Sequence, residues 1–186
     1  MKASLSQSIV FSLRFIMLIW AVFILDLIST VDLAILGVYP QNLFGLIGIV
    51  TMPLVHASWS HLISNSIPLA FLCITLFFFF NKISYSVFFL CYFFTGFLVW
   101  IFARHTFHIG ASGLVYAIAA FLMFFGFFRK DIKSLFISII IIMLYGGMVY
   151  GIFPNQPGVS WESHLLGGIV GICVAFYYRS KKMVSS

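Results

Sequence analysis

Apolar residues occupy this chain in blocks of about 20, and the breaks between blocks together with the two chain ends carry most of its charge. A bilayer core of roughly 30 Å is crossed by about 20 apolar residues in helical form. The pattern therefore predicts six spans, at about residues 9–29, 59–80, 83–104, 112–128, 134–153 and 161–178. The separators are Asn81-Lys82, the stretch from Arg104 to Ala111, Arg129 to Lys133, and Pro154 to Ser160. One longer segment, residues 30–58, is too apolar for a simple turn and is expected to be partly helical. The first block is too long for a signal-peptide core and no small-residue cleavage pattern follows it, so it reads as a retained helix. The expected fold class is an all-α membrane protein, a single domain over residues 1–186.

Composition sharpens this picture. The chain is 63% hydrophobic and 8% charged, with 24 phenylalanines, whereas soluble domains carry about a quarter charged residues. A net charge of +6 rests on only ten Lys and Arg scattered between apolar runs, which argues for membrane topology and against nucleic acid. Lys2, Lys82, Arg129, Lys130, Lys133, Arg179, Lys181 and Lys182 fall on one side if both termini are cytoplasmic, leaving Arg104 opposite and Arg14 inside the first span. The positive-inside rule then gives an N-in, C-in protein. In that arrangement the second, fourth and sixth spans all start at the outer face, and their first residues share a depth. Cys73, Cys91 and Cys173 lie within apolar runs at spacings that fit neither a disulfide framework nor a zinc site, and read as packing residues. Arg14 and Asp26 are twelve apart, too far to pair along one helix, so each is expected to snorkel to an interface. The run Phe77 to Phe80 reads as a lipid-facing or packing end of a span.

The polar residues that remain cluster at those three starts: His56, His61 and Asn65 at the second span, Ser112 at the fourth, Glu162 and His164 at the sixth. Polar side chains inside a membrane are expensive and face a bundle interior or a water-filled cavity, so their shared depth predicts a site. His61 and Asn65 are four apart and share a helix face, as do Ser112 and Tyr116. His164 precedes Gly167 and Gly171, a small-residue stripe that lets another helix come close. Gly110 and Gly113 flank Ser112 and are expected to keep its approach open. A serine needs an adjacent base and its oxyanion needs fixed donors. The assignment is Ser112 as nucleophile, His164 as base, and the Ser112 N–H with His61 and Asn65 as oxyanion donors, the Gly113 N–H being a further candidate. No acidic third member is apparent: Asp26 and Asp32 sit at the first span, and Glu162, two residues before His164, points off its face.

Other readings compete. Alone, Ser112 between glycines is a packing device and His164 an interhelical hydrogen-bonder. His105 and His108 read as solvent-facing loop residues. A histidine metal site is disfavoured because His56 and His61 are five apart and no HExxH is present. A small transporter would show intramembrane charges along a path or inverted repeats, and neither is visible.

With these residues in order, the chain resembles the rhomboid intramembrane serine proteases. "GASG" with "LVYA" around Ser112 is similar to the family's nucleophile motif, "HASWSHLISN" to its second-helix motif, and "SHLLGGIVG" to its histidine helix. The resemblance implies a six-helix bundle whose serine begins a short fourth helix below the membrane surface, reached by water from outside. It implies cleavage within or beside transmembrane segments of membrane-protein substrates, often next to small residues, without metal or cofactor. Ser112 and His164 would form the dyad, His61 and Asn65 the oxyanion hole, Tyr116 the ring packed on the base, and His56 a structural residue. A bacterial plasma membrane suits the compact six-span form. The alternative is an inactive relative that binds transmembrane helices. One departure stands out: many members carry a Trp-Arg pair where this chain reads Ile47 and Gly48, four residues before Thr51. The first loop is therefore expected to be held by different contacts, with Tyr39, Phe44 and Leu46 as membrane-interface residues.

Overall fold

A computed structural model describes residues 5–154 and 158–181. Lys2 and Lys182, two cations of the topology argument, lie outside the described residues. Six long helices follow the apolar blocks closely: α1 (Leu5–Ile28), α3 (Trp59–Phe79), α4 (Asn81–Phe102), α5 (Ser112–Arg129), α6 (Ile132–Tyr145) and α7 (Trp161–Tyr178). Five are long and apolar enough to cross a membrane, α6 reaching that length through the 3-10 turns of Gly146–Ile152. The last helix, α7, is not among them; its first turn is polar, with Glu162, Ser163 and His164. No strand is present among the described residues beyond an isolated bridge between Val38 and His108.

Local chemistry sets the helix starts. Ser58 accepts a hydrogen bond from the His61 N–H, Asp131 from Ser134 and Ser160 from Ser163, each capping one of the donors a helix start leaves unsatisfied. Arg129 also pairs with Asp131 across the α5–α6 turn. Asp131 loses some solvation, but hydrogen bonds from the Ser134 backbone and hydroxyl and the Arg129 charge outweigh that and hold its carboxyl below the usual range.

Helix α5 lies at the centre. Leu114, Ile118, Phe121 and Phe125 are buried, and α7 packs along it without intervening side chains: a Cβ at Gly167 would overlap the carbonyl of Gly113, and one at Gly171 the carbonyl of Ala117. The small-residue stripe read from the sequence thus brings two backbones into contact. On the other flank, aromatic rings join α1 to α3 and α4. Phe11 stacks on Phe77 at 4.1 Å and meets Phe88 edge-on at 5.1 Å, while Trp20 Nε1 donates to Ser66 Oγ at 3.0 Å. The four-phenylalanine run splits by helical position, Phe77 and Phe80 buried, Phe78 and Phe79 exposed.

The segment between α1 and α3 is partly helical as expected, with 3-10 turns at Leu33–Leu36, Phe44–Leu46 and Met52–Leu54 and a single α-turn, α2 (Gly48–Thr51). Where the Trp-Arg pair would stand, Gly48 lies against the backbone of Gly37 and Val38, leaving no room for a Cβ. The loop is tied to α4 instead: Tyr92 donates to the Val50 carbonyl, Trp100 Nε1 to the Asn42 carbonyl at 2.9 Å, and the Gln41 N–H to the Trp100 carbonyl at 2.9 Å. Phe44, 90% exposed, projects from this loop, and Tyr39 packs on Phe107 at 5.1 Å.

Candidate active site

Ser112 is the first residue of α5, His61 and Asn65 stand one turn apart on α3, and His164 lies in the first turn of α7. The side chains of all four, with Tyr116, line one cavity of about 830 Å³. The shared depth inferred from topology thus has a geometric counterpart, built by the starts of three helices.

The approach to Ser112 is shaped by Gly110, whose φ of 102° is a conformation that L side chains rarely adopt. A Cβ there would sit 2.5 Å from His61 Nε2, so the glycine also makes space for that ring. Gly113 leaves little room beside Thr95 and the Ser163 carbonyl, and serves packing as well as its N–H. His56 is buried behind this turn. The Ala111 N–H donates to its Nε2 at 3.3 Å, its ring lies 4.9 Å from that of His61, and its Nδ1 is 3.4 Å from the Leu54 carbonyl. Burial, then the neighbouring His61, push its pKa down to about 4 against a weaker upward pull from Leu54. His56 is a neutral acceptor that fixes the backbone entering α5.

The imidazole of His164 is held on two sides. Tyr116 stacks on it with centroids 4.2 Å apart and planes 4° from parallel. Its Nδ1–H donates to the Gly151 carbonyl at 2.8 Å, which leaves the lone pair of the neutral ring on Nε2. The Tyr116 hydroxyl donates to the Met148 carbonyl at 2.8 Å. Two carbonyls of one 3-10 segment, Gly146–Ile152, therefore fix both rings. Sequence reasoning found the rings and missed the carbonyls, because a backbone acceptor has no signature in residue type. Among the described residues no hydrogen bond joins Ser112 Oγ to His164. The amide nitrogen of Asn65, only 6% exposed, has no partner either. A buried donor without an acceptor is costly, and here it belongs to a residue lining the cavity.

One expectation is corrected. His105 is exposed, but His108 is 1% exposed. Its Nε2–H donates to the Arg104 carbonyl at 2.9 Å, and its Nδ1 accepts from Ser160 Oγ at 2.5 Å. The bridge to Val38 draws this loop inward, and burial lowers the histidine's pKa, with the Arg104 carbonyl and Glu162 opposing and the Arg104 charge assisting. Arg104 also meets buried Glu162 at 3.4 Å and donates to the Val159 carbonyl at 2.9 Å. Glu162 thus makes its ion pair with the loop, and among the described residues no hydrogen bond joins it to His164. The sequence placed both residues at the outer ends of spans, which allowed the pair without specifying it. Among the described residues no group of three His, Cys, Asp or Glu side chains is arranged to hold a metal.

Residues 43–181 match the Rhomboid domain. The chain is 33% identical to Uncharacterized protein Rv1337 of Mycobacterium tuberculosis, over 88% of this chain and 72% of that protein. It is 32% identical to Uncharacterized protein ML1171 of Mycobacterium leprae, over 88% of this chain and 68% of that protein. With its apolar helices, the three-helix cavity and this match over most of its length, the chain is an integral membrane protein that belongs to the Rhomboid family, a family of intramembrane proteases.

Proposed function

We propose that this protein is an intramembrane serine endopeptidase that hydrolyses peptide bonds within or next to transmembrane segments of membrane-protein substrates. The observation that carries the reading is one cavity holding a helix-start serine, a histidine with its Nδ1 already engaged, and a buried amide donor that has no acceptor. Residues 1–186 form one six-span unit, both termini cytoplasmic, with α7 as the sixth span despite its polar first turn. The mycobacterial relatives fit a bacterial plasma membrane.

In the proposed mechanism, Ser112 Oγ attacks the scissile carbonyl carbon while His164 Nε2 takes the hydroxyl proton. The Gly151 carbonyl stands where a carboxylate stands in a triad: it selects the tautomer and orients the ring, and Tyr116 stacked on that ring limits its motion. The oxyanion is met by the Ser112 N–H, the Asn65 amide and His61, with the Gly113 N–H within the same turn. As the tetrahedral intermediate collapses, the C–N bond breaks and His164 gives its proton to the leaving amine. Water then attacks the acyl-enzyme, with the same histidine as base. Apo enzymes commonly hold nucleophile and base too far apart for a hydrogen bond until substrate closes the site, which accounts for the open Ser112–His164 pair. His56 and Gly110 act at one remove, by holding the turn that presents Ser112.

The test is cleavage of a model transmembrane substrate by purified protein in liposomes, with fluorophosphonate labelling alongside. Ser112→Ala and His164→Ala should each lower turnover by at least about 10⁴-fold, and Ser112→Ala should abolish labelling. Asn65→Ala should cost roughly a hundredfold to a thousandfold while leaving Ser112 in place. Undiminished cleavage by Ser112→Ala would end this reading and leave the helix-binding alternative.

A further inference from the structure

Helix α1 carries one cation within its span, Arg14, which is exposed. The chain has four Asp and Glu residues, and each is engaged elsewhere. Asp131 pairs with Arg129 and Glu162 with Arg104, Asp26 accepts the Leu33 N–H at 2.8 Å, and Asp32 accepts the Ala34 N–H at 2.8 Å. A guanidinium at membrane depth requires an anion or water, and no carboxylate among the described residues supplies one to Arg14.

Helical side chains lean toward the N-terminus of their helix, so the long stem of Arg14 carries its head back over the preceding turn, beside Val10 and Phe11. There a cavity of about 460 Å³ opens between α1 and the α3–α4 turn, and Arg14, Gln7, Asn81, Ser84 and Tyr85 line it. Its wall is rigid: Phe11 stacks on Phe77 and meets Tyr85 edge-on at 5.3 Å. The same end of the bundle carries the basic residues. Lys133 Nζ lies 5.3 Å above the Phe79 ring, and Arg129 donates to the Lys181 carbonyl at 3.1 Å. Just beyond Arg14 along α1, Met17 and Leu18 are exposed apolar residues. A cationic fork among hydroxyl and amide groups, set at the foot of an apolar face, has the chemistry of a phosphate site with room for acyl chains above it.

We infer that this cavity binds a phosphate group, that of an anionic phospholipid headgroup from the leaflet on the basic side, with Arg14 as its principal ligand. The site lies at the other end of α3 from His61 and Asn65, shares no lining residue with the Ser112 cavity, and does not depend on the protein's being a protease. Anionic lipid is already drawn to that side by the surrounding lysines and arginines; Arg14 at the cavity adds a fixed, single position.

Native mass spectrometry of the full chain in neutral detergent, titrated with dioctanoyl phosphatidylglycerol, tests this. Wild type should retain one lipid per protein, and Arg14→Gln should bind about tenfold more weakly, the loss expected for a charge-assisted hydrogen bond. Arg14→Lys, which keeps the charge and loses the fork, should fall between them and guards against a misfolded Arg14→Gln. Competition with inorganic phosphate separates the sources: displacement at millimolar levels would show that the bare anion suffices, and persistence of the lipid that its glyceryl and acyl parts contribute. Both results keep the phosphate site. Equal lipid retention by wild type, Arg14→Gln and Arg14→Lys would overturn it.

Discussion

The two helices that flank α5 near its serine are built on different principles. Along the α5–α7 seam, Gly167 and Gly171 bring backbones into contact, and Val170, Val174 and Ala175 of α7 are buried beside them. Helix α6 and its 3-10 extension present Phe136, Met143 and Tyr150 outward, and 17% of their apolar stretch is buried. Both contribute to one site. The seam sets where Ser112 and His164 stand, and the looser rim supplies the Gly151 and Met148 carbonyls that decide how the His164 and Tyr116 rings are turned. Position thus comes from close packing, and orientation from a segment held by few contacts.

Breaking the seam should have the largest effect. Gly171→Val would drive a side chain into the Ala117 carbonyl, and overpacking of this kind costs about 3 kcal/mol or more when backbone blocks relief. Thermal unfolding in detergent should drop sharply, and fluorophosphonate labelling of Ser112 should vanish with the fold.

Acid acts on the turn that enters α5. His56 is neutral and accepts the Ala111 N–H, with a pKa pushed down to about 4 from 6.5. Its preference for the neutral form is fully available above pH 6.5, and is lost as pH falls from there toward 4, because the unfolded chain takes the proton first. Buried His108, also lowered, acts in the same direction. Stability should be level from pH 7 to 8 and decline below 6.5 by about 3 kcal/mol at pH 4 from His56. A His56→Gln variant should show a flatter decline.

Disturbing the rim should spare the fold and slow the chemistry. At Gly151 a Cβ would overlap the Tyr116 hydroxyl and come 3.3 Å from His164 Nδ1. Gly151→Ala should lower kcat roughly tenfold to a hundredfold with little change in KM or unfolding temperature. Tyr116→Phe removes the clashing oxygen, so the double variant should cleave faster than Gly151→Ala alone. No rescue would mean that the carbonyl bracket does not orient the base. Smallest of all, Phe136→Ala on the outward face of α6, where the ring is 63% exposed, should change stability by no more than about 0.5 kcal/mol.

Much of this was legible in the residues. Block length and polarity located the long helices to within a few residues, since a membrane span is specified by local composition, except that the span read as 134–153 is α-helical only to Tyr145 and continues in 3-10 turns to Ile152. The stripe Gly167 and Gly171 announced a close helix contact, and positive charges suggested which helix starts share a depth. Four-residue spacing put Tyr116 on the face of Ser112, and the resemblance implied its stacking on His164, which the ring geometry bears out. Less visible were the loop contacts that replace the Trp-Arg pair, the burial of His108 and the ion pair of Arg104 with Glu162. Each depends on segments distant in sequence meeting in space, and their polar atoms are satisfied only after that meeting.

The sequence by itself determined where chain would be helical, which residue types could carry acyl-transfer chemistry, and on which helices they stand, because hydropathy and helical spacing are local properties. Tertiary structure alone decided how His164 is aimed and what anchors the first loop. The Gly151 and Met148 carbonyls, like the Val50 carbonyl that receives Tyr92, belong to the backbone that every residue shares. Their role is fixed by where the fold puts them.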